Sequence, residues 1–266
     1  MAFYFSFMIY DIHCHLDLYN EEEVNEVIKR ARDNDVKVII TNSVDMKSCK
    51  KNLEYSKKYS DIVKLAVGFY PQDALSREEK EMWNKNNKEY DKFEDLREFV
   101  FANKKYVFAI GETGLDLKHG KDINSQVELL KKELELAEEL NVPIILHSRK
   151  AENKILDVIR NYKCKKILHC FSGKFSLIKK AIEDGCYFSI PTNIVKLEHF
   201  QKMVREIPKD RILTETDAPF LSPYPGTKNE PSFIHETIKI IAEIWNMNEK
   251  ETEKILWENF KSVFNQ

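Results

Sequence analysis

The segment Asp11-Ile12-His13-Cys14-His15 carries two imidazoles two residues apart, directly behind the apolar run Phe3 to Tyr10. Side chains at i and i+2 of a strand project to the same side. An H-x-H pair leaving a strand can therefore grip one cation with both rings. An isolated pair is more often two histidines in a surface turn. The rest of the chain changes that balance, because further strand-like segments end in Glu112, His147, His169 and Asp217. Four of the seven histidines and two carboxylates thus fall where strands hand over to loops. Gathered at one mouth, such groups need a counter-charge, and a metal cation supplies it.

Three or four nitrogen and oxygen ligands suit one ion, so six point to two. His13, His15 and Asp217 are expected to hold the first ion, since the first and last strands of a closed barrel are neighbours. His147 and His169 are expected to hold the second, with Glu112 between the groups as a bridge. Two cations roughly 3.5–4 Å apart acidify bound water and clamp the oxygens of a phosphodiester, or polarise a carbonyl. This ligand set means metal-assisted hydrolysis and leaves the substrate open.

The elements that must carry these residues are short apolar runs alternating with longer amphipathic ones. Strands are predicted over Phe7 to Ile12, Val36 to Thr41, Val63 to Val67, Val107 to Ile110, Ile144 to His147, Ile167 to His169, Cys186 to Ile190 and Ile212 to Thr216. Several are continuously apolar, as parallel strands buried on both faces require. Helices are predicted over Glu21 to Asp33, Met46 to Tyr59, Asp91 to Asn103, Ser125 to Leu140, Lys150 to Asn161, Lys174 to Asp184 and Leu197 to Glu206. Two more, Pro231 to Trp245 and Asn248 to Phe264, close the chain, the last with Asn248 as N-cap and Glu251 three residues on. The cleanest is Ser125 to Leu140, with Val127, Leu130, Leu134, Ala137 and Leu140 along one side. Eight strand–helix units predict an α/β fold, a TIM (β/α)8 barrel with the metal site at the C-terminal face of its strands. An open doubly wound sheet is disfavoured, because the first strand–helix turn has no glycine-rich phosphate loop. The 266 residues are expected to form a single hydrolase domain. The longest irregular stretch, Pro71 to Asp91, is expected to form a lid or a short helical insertion.

Composition bounds the partners. Forty-two Lys and Arg face 44 Asp and Glu, a net charge of −2, which offers no global attraction to nucleic acid or to an acidic membrane. Cys14, Cys49, Cys164, Cys170 and Cys186 are odd in number and form no C-x-x-C, so neither a disulfide framework nor a zinc ribbon is expected. The apolar start lacks a basic flank and reads as a first strand, not a signal peptide. No run is long enough to span a bilayer. The sequence predicts a cytoplasmic protein with no membrane association and no obligate protein partner.

The local sequences narrow the chemistry. Asp11-Ile12-His13-Cys14-His15-Leu16-Asp17, Ala66-Val67-Gly68, Ile110-Gly111-Glu112-Thr113-Gly114-Leu115-Asp116 and Leu146-His147-Ser148-Arg149 occur in order. Leu168-His169-Cys170-Phe171-Ser172-Gly173, Glu215-Thr216-Asp217-Ala218-Pro219-Phe220-Leu221 and Asn229-Glu230-Pro231 follow. From Asp11 to Phe264 the chain closely resembles the TatD family of metal-dependent deoxyribonucleases, within the amidohydrolase superfamily. The resemblance implies a TIM-barrel hydrolase with two divalent cations (Mg²⁺, Mn²⁺ or Zn²⁺). It also implies cleavage of DNA phosphodiesters, commonly as a 3′–5′ exonuclease; with no basic domain, end-directed cleavage of single strands at a narrow barrel mouth is expected over scanning of duplex. The family's metal ligands fall on His13, His15, Glu112, His147, His169 and Asp217, the set already reached from strand ends. Many barrel amidohydrolases bridge their metals with a carboxylated lysine. Glu112 stands in that place here, which favours the TatD-like reading over a hydrolase of a small ester or C–N substrate. A metal-binding protein without turnover is a third reading, with nothing positive in the sequence to support it.

Remaining motif residues are assigned accordingly. Glu112 is a candidate for orienting water and Asp217 for general base, each beside its role as ligand. Arg149, Tyr70, Asp116 and Ser172 are candidates for substrate binding. Arg149 suits a phosphate oxygen, or alternatively pairs with Asp116 or Asp17. Lys174, Lys196 and Lys228 are further candidate cations at the mouth. Cys14 is expected to point away from the H-x-H face. Tyr70 occupies a position where many TatD-like proteins have histidine before the proline. Its hydroxyl could bond a phosphate, or its ring could stack on a base. The segment Ser189-Ile190-Pro191-Thr192-Asn193 lacks the glycines frequent there in the family.

Overall fold

The computed structural model describes residues 8–74 and 91–265. Its strands are β1 (Ile9–Cys14), β2 (Val36–Asn42), β3 (Val63–Val67), β4 (Val107–Asp116), β5 (Ile144–Arg149), β6 (Lys166–His169), β7 (Tyr187–Ile190) and β8 (Ile212–Thr214). They form one sheet in chain order, every neighbouring pair parallel. The described helices are α1 (Glu21–Asp33), α2 (Met46–Lys58), α3 (Phe93–Ala102), α4 (Ile123–Leu140), α5 (Glu152–Ile159), α6 (Phe175–Glu183), α7 (Glu198–Glu206), α8 (Ile234–Trp245) and α9 (Glu249–Phe264). This is the predicted TIM barrel. The expected lid between Pro71 and Asp91 falls largely outside the described residues, as does the start of strand one at Phe7.

The sequence sets these elements by familiar means. Asn20 with Glu23, Asp45 with Ser48, and Asn248 with Glu251 each form a reciprocal capping box at a helix start. Strand residues such as Ile39, Leu65, Ile110, Ile145, Leu168, Phe188 and Leu213 are completely buried, between sheet and helices on one side and the barrel interior on the other. Burying one such side chain contributes roughly 1.5–3 kcal/mol relative to exposure. Across the bottom of the barrel Tyr10 packs on Phe260 at 4.6 Å between ring centres and donates its hydroxyl to Leu256 O at 2.8 Å. That contact ties β1 to the closing helix α9.

The ring closes between β1 and the end of β8. Asp217 N donates to His13 O at 2.8 Å, His15 N to Ala218 O at 2.7 Å, and Thr214 Oγ1 to Tyr10 O at 2.9 Å. The Asp11 carboxylate accepts from Thr216 N at 2.9 Å and Thr216 Oγ1 at 2.5 Å. Asp11 is fully buried, and burial pushes its carboxyl up to about 8 against the pull of the Thr216 hydroxyl and amide.

β4 is the long strand, running through Glu112 to Asp116 rather than stopping at the predicted Ile110. Two glycines let its neighbours come close. A Cβ on Gly68 would lie 2.8 Å from Gly111 Cα, and one on Gly114 (φ +150°) would lie 2.0 Å from His147 O. Only glycine fits either place. At this narrow waist Glu112 N donates to Ser43 O at 2.8 Å, which fixes the backbone under the Glu112 side chain. No described helix is long and apolar enough to cross a membrane.

Candidate metal centre

The six strand-end residues meet at the C-terminal mouth. β1 delivers His13 and, one residue past its end, His15, with their Nε2 atoms 3.2 Å apart. β5 and β6 deliver His147 and His169, with His147 Nδ1 3.2 Å from His169 Nε2. The rings of His13 and His169 stack at 4.0 Å, which joins the two pairs. Asp217 adopts a left-handed backbone, φ +58°, a conformation that aspartate tolerates better than most non-glycine residues. Its Oδ1 lies 3.5 Å from both His13 Nε2 and His15 Nε2.

Glu112 stands in the middle and divides its carboxylate. Oε2 is 3.5 Å from His13 Nε2 and 3.4 Å from His15 Nε2. Oε1 is 2.9 Å from His147 Nδ1 and 3.1 Å from His169 Nε2. Each oxygen faces one imidazole pair. His13, His15 and Glu112 form one group able to hold a cation, and Glu112, His147 and His169 form another.

Groups behind the rings set which nitrogen faces inward. His15 Nδ1 lies 3.2 Å from Asn42 O, and His169 Nδ1 lies 3.6 Å from Glu215 Oε2. A carbonyl and a carboxylate accept only, so in the neutral rings Nδ1 carries the hydrogen and Nε2 the lone pair. Lone pairs then converge on the oxygens of Glu112 and Asp217 at 3.1 to 3.5 Å. Acceptor meets acceptor, an arrangement that a cation resolves. The donor set fits a divalent metal in chemistry and direction.

The same carboxylates act on the protonation of the rings. Burial opposes charge on His15, yet Asp217 and Glu112 beside it raise it to about 9. His169 is driven upward too, where Glu112 and Glu215 outweigh burial. His13 goes the other way, held neutral by burial and by the neighbouring His169. Burial would raise Glu112, but the encircling His169 and His13 hold its carboxyl well below the usual range.

The candidate substrate residues are placed differently from one another. Tyr70 is buried, its hydroxyl 2.6 Å from Asp116 Oδ2 and 3.0 Å from His147 Nε2, so it backs a ring rather than lining the opening. Asp116 is fully buried and also accepts from Lys118 N and His119 N at 2.7 and 2.9 Å. Arg149 is half-buried with Nη1 3.7 Å from Asp116 Oδ2, the first of its two expected acidic neighbours. Ser172 is exposed and lies 3.4 Å from Glu152 Oε1. Arg149 and Ser172 share a cavity of about 670 Å³ with Lys150, Lys154, Lys174 and Gly173. Lys228 is ion-paired to Glu23 at 3.1 Å, and Lys196 donates to Ser222 O at 3.0 Å. Cys14 is buried with its sulfur toward Ile40 O, away from the imidazoles as expected.

Three positioning groups escaped the sequence reading. Glu215 is fully buried behind His169, and Asp11 accepts from His13 N at 3.1 Å. Asn229, also buried, donates to Thr216 O, Phe220 O and Thr192 Oγ1, pinning the loop that carries Asp217. Strand parity held the signal for one of them: Asp11 shares the face of β1 that carries His13.

A barrel of this topology with imidazoles and carboxylates converging at its C-terminal mouth defines a metal-dependent hydrolase. The family model described as TatD related DNase matches residues 10–265. This chain belongs to that family. It is 35% identical over 256 residues to an uncharacterized metal-dependent hydrolase of Methanocaldococcus jannaschii, covering 96% of each chain. It is 27% identical over 262 residues to a human protein named deoxyribonuclease TATDN3, covering 96% of this chain and 93% of that one. Among solved structures, a TatD family hydrolase from Entamoeba histolytica superposes with a TM-score of 0.82 at 20% identity, over 97% of this chain and 98% of that one.

Proposed function

We propose that this chain is a two-metal phosphodiesterase acting on DNA, a deoxyribonuclease that removes nucleotides from single-stranded ends in the 3′–5′ direction. The observation that carries this reading is the divided carboxylate of Glu112, one oxygen toward each imidazole pair. In this reading His13, His15 and Asp217 would hold one divalent cation, His147 and His169 would hold the other, and Glu112 would serve both. When bound, Mg²⁺, Mn²⁺ or Zn²⁺ would supply Lewis acidity to phosphate oxygens and acidify a water molecule.

The protein's own groups do the rest. Glu112 is assigned to orient the attacking water. Asp217, more open to solvent than Glu112, takes its proton as general base. The basic cavity beside the mouth, with Arg149, Lys150, Lys154 and Lys174, suits the phosphates flanking the scissile bond. The human relative's name supports DNA as substrate. With a net charge of −2, affinity for long duplex should be modest and salt-sensitive.

The test is digestion of 3′-labelled and 5′-labelled single-stranded oligonucleotides with Mg²⁺ and Mn²⁺ in turn, beside Glu112→Ala. A metal-dependent ladder absent from the variant is expected, and the label gives polarity. Intact DNA with two ions still bound would instead mean a small ester or C–N substrate. Preferential nicking of circular duplex would count against end-directed cleavage.

A further inference from the structure

We infer that Tyr70 is a positioning residue, which with Asp116 forms a buried carboxylate–hydroxyl–imidazole chain that makes His147 a metal ligand through Nδ1. The inference rests on the metal-centre reading above, but not on any particular substrate.

A tyrosine hydroxyl has one hydrogen to give. Asp116 takes it, with Oδ2 2.6 Å from the Tyr70 oxygen. Asp116 is committed to accepting: its Oδ1 receives Lys118 N and His119 N, and Arg149 Nη1 stands 3.7 Å from Oδ2. The Tyr70 oxygen therefore has only a lone pair to offer His147 Nε2, 3.0 Å away. Nε2 must donate, and a neutral imidazole carries one N–H. The other nitrogen, Nδ1, is left with its lone pair, and it lies 2.9 Å from Glu112 Oε1 and 3.2 Å from His169 Nε2. His13, His15 and His169 all turn Nε2 toward the carboxylates instead.

The chain is built to stay in place. Tyr70 N donates to Val44 O at 3.1 Å, and the phenol ring packs against the His147 ring at 4.7 Å between centres. Tyr70 is 5% exposed and clusters with Val44 and Ala74, a setting for holding a ring and not for stacking on a nucleobase. Asp116 Oδ2 also stands 3.5 Å from His147 Nε2, about as far as Glu215 Oε2 stands from His169 Nδ1 at 3.6 Å, so carboxylate and hydroxyl together face the donating nitrogen.

The experiment compares wild type with Tyr70→Phe, each carrying isotope-labelled histidine. NMR of the cadmium-loaded proteins shows which His147 nitrogen keeps its proton and which is coupled to the metal. Equilibrium dialysis with Mn²⁺ gives affinity and stoichiometry without any substrate. Wild type should couple through Nδ1 with Nε2 protonated. Tyr70→Phe should bind one of its ions roughly 10–100-fold more weakly, with the other unaffected. Should that variant fail to fold, Asp116→Asn tests the same chain with the hydroxyl retained and should also weaken one ion. Coupling of wild-type His147 through Nε2 would overturn the inference. So would a Tyr70→Phe protein that binds both ions normally and only raises KM on an oligonucleotide, since that describes a substrate contact. An inactive wild type that shows Nδ1 coupling and a Tyr70-dependent ion would sink the nuclease proposal and sustain this one.

Discussion

Glu215 stands behind His169 as Glu112 stands before it. Its Oε2 is 3.6 Å from His169 Nδ1, while His169 Nε2 is 3.1 Å from Glu112 Oε1. Cys170 N at 2.8 Å and Ser189 Oγ at 2.5 Å hold the Glu215 carboxylate against rotation. Glu215→Gln would keep the Cys170 bond on its amide oxygen and turn its NH₂ toward Ser189 and His169. An N–H facing Nδ1 favours the ring form with Nε2 protonated, which cannot ligate inward. Metal affinity should fall roughly 10–100-fold with little loss of fold. Metal content after dialysis, with circular dichroism as control, checks this.

Metal uptake should release protons, and its apparent affinity should rise with pH. In the cation-free protein Asp217 and Glu112 keep His15 protonated up to about 9, and His169 is raised as well. A cation has to displace those protons, so each one displaced makes affinity climb about tenfold per pH unit below the His15 value. Above about 9 the climb due to His15 ends. Calorimetric titration in two buffers of different ionisation heat counts the protons. A heat independent of buffer would refute the coupling.

Gly114→Ala and Gly185→Ala should differ sharply although both glycines have positive φ. A Cβ at Gly114 meets His147 O at 2.0 Å, whereas one at Gly185 (φ +75°) meets nothing within 4 Å. The first substitution should cost roughly 2–5 kcal/mol, from strain plus overpacking, and displace β5 with its histidine. The second should cost only the backbone term, about 1–2 kcal/mol. Urea denaturation of the two variants gives the comparison.

Glu133 predicts a pH-dependent stability. It is fully buried on α4, where it accepts from Phe69 N at 2.7 Å and from the Thr113 hydroxyl. Burial raises its carboxyl from 4.5 to about 8 despite those bonds. Below the unfolded value both states hold the proton, and the folded protein keeps its full stability. As pH rises toward 8 only the unfolded chain ionises, so stability declines, on the order of a few kcal/mol in total. Glu133→Gln can keep both hydrogen bonds and should remove that slope. It should therefore be the more stable protein at alkaline pH and lose the advantage in acid. Parallel denaturation curves across this range would show that Glu133 does not supply the slope.

Strand ends and ligands were legible because the fold writes them plainly. Parallel strands buried on both faces are apolar throughout, and the abrupt change to His, Glu or Asp marks the mouth. The boundaries shifted where single residues override pattern. β4 continues past Ile110 because Gly111 and Gly114 fit the tight approach to β3 and β5. α4 starts at Ile123 because Asp122 accepts from Ser125 N and caps it. On that same helix the predicted stripe holds for Leu130, Leu134 and Ala137, but Val127 and Leu140 are only half-buried, whereas Gln126 and Glu133 are buried. Periodicity counts Gln126 and Glu133 as solvated, because it cannot see the strand groups waiting for them: Asp116 N for Gln126, Phe69 N and Thr113 for Glu133. The partners behind the imidazoles were hidden for the same reason. Glu215 and Tyr70 act across strands, and no sequence spacing encodes that distance.

The seam of the barrel has a consequence for the newly made protein. Asp11 and Thr216, whose side chains lock β1 to the end of β8, are 205 positions apart in the chain. His13 and His15 are thus synthesised long before Asp217, the proposed third holder of their cation. A ribosome-bound chain that stops short of β8 carries all four imidazoles and Glu112 but neither Asp217 nor the seam that closes the ring. Retention of a cation by His13 and His15 would then report that the barrel has closed. A product that ends before Asp217 would hold that cation more weakly.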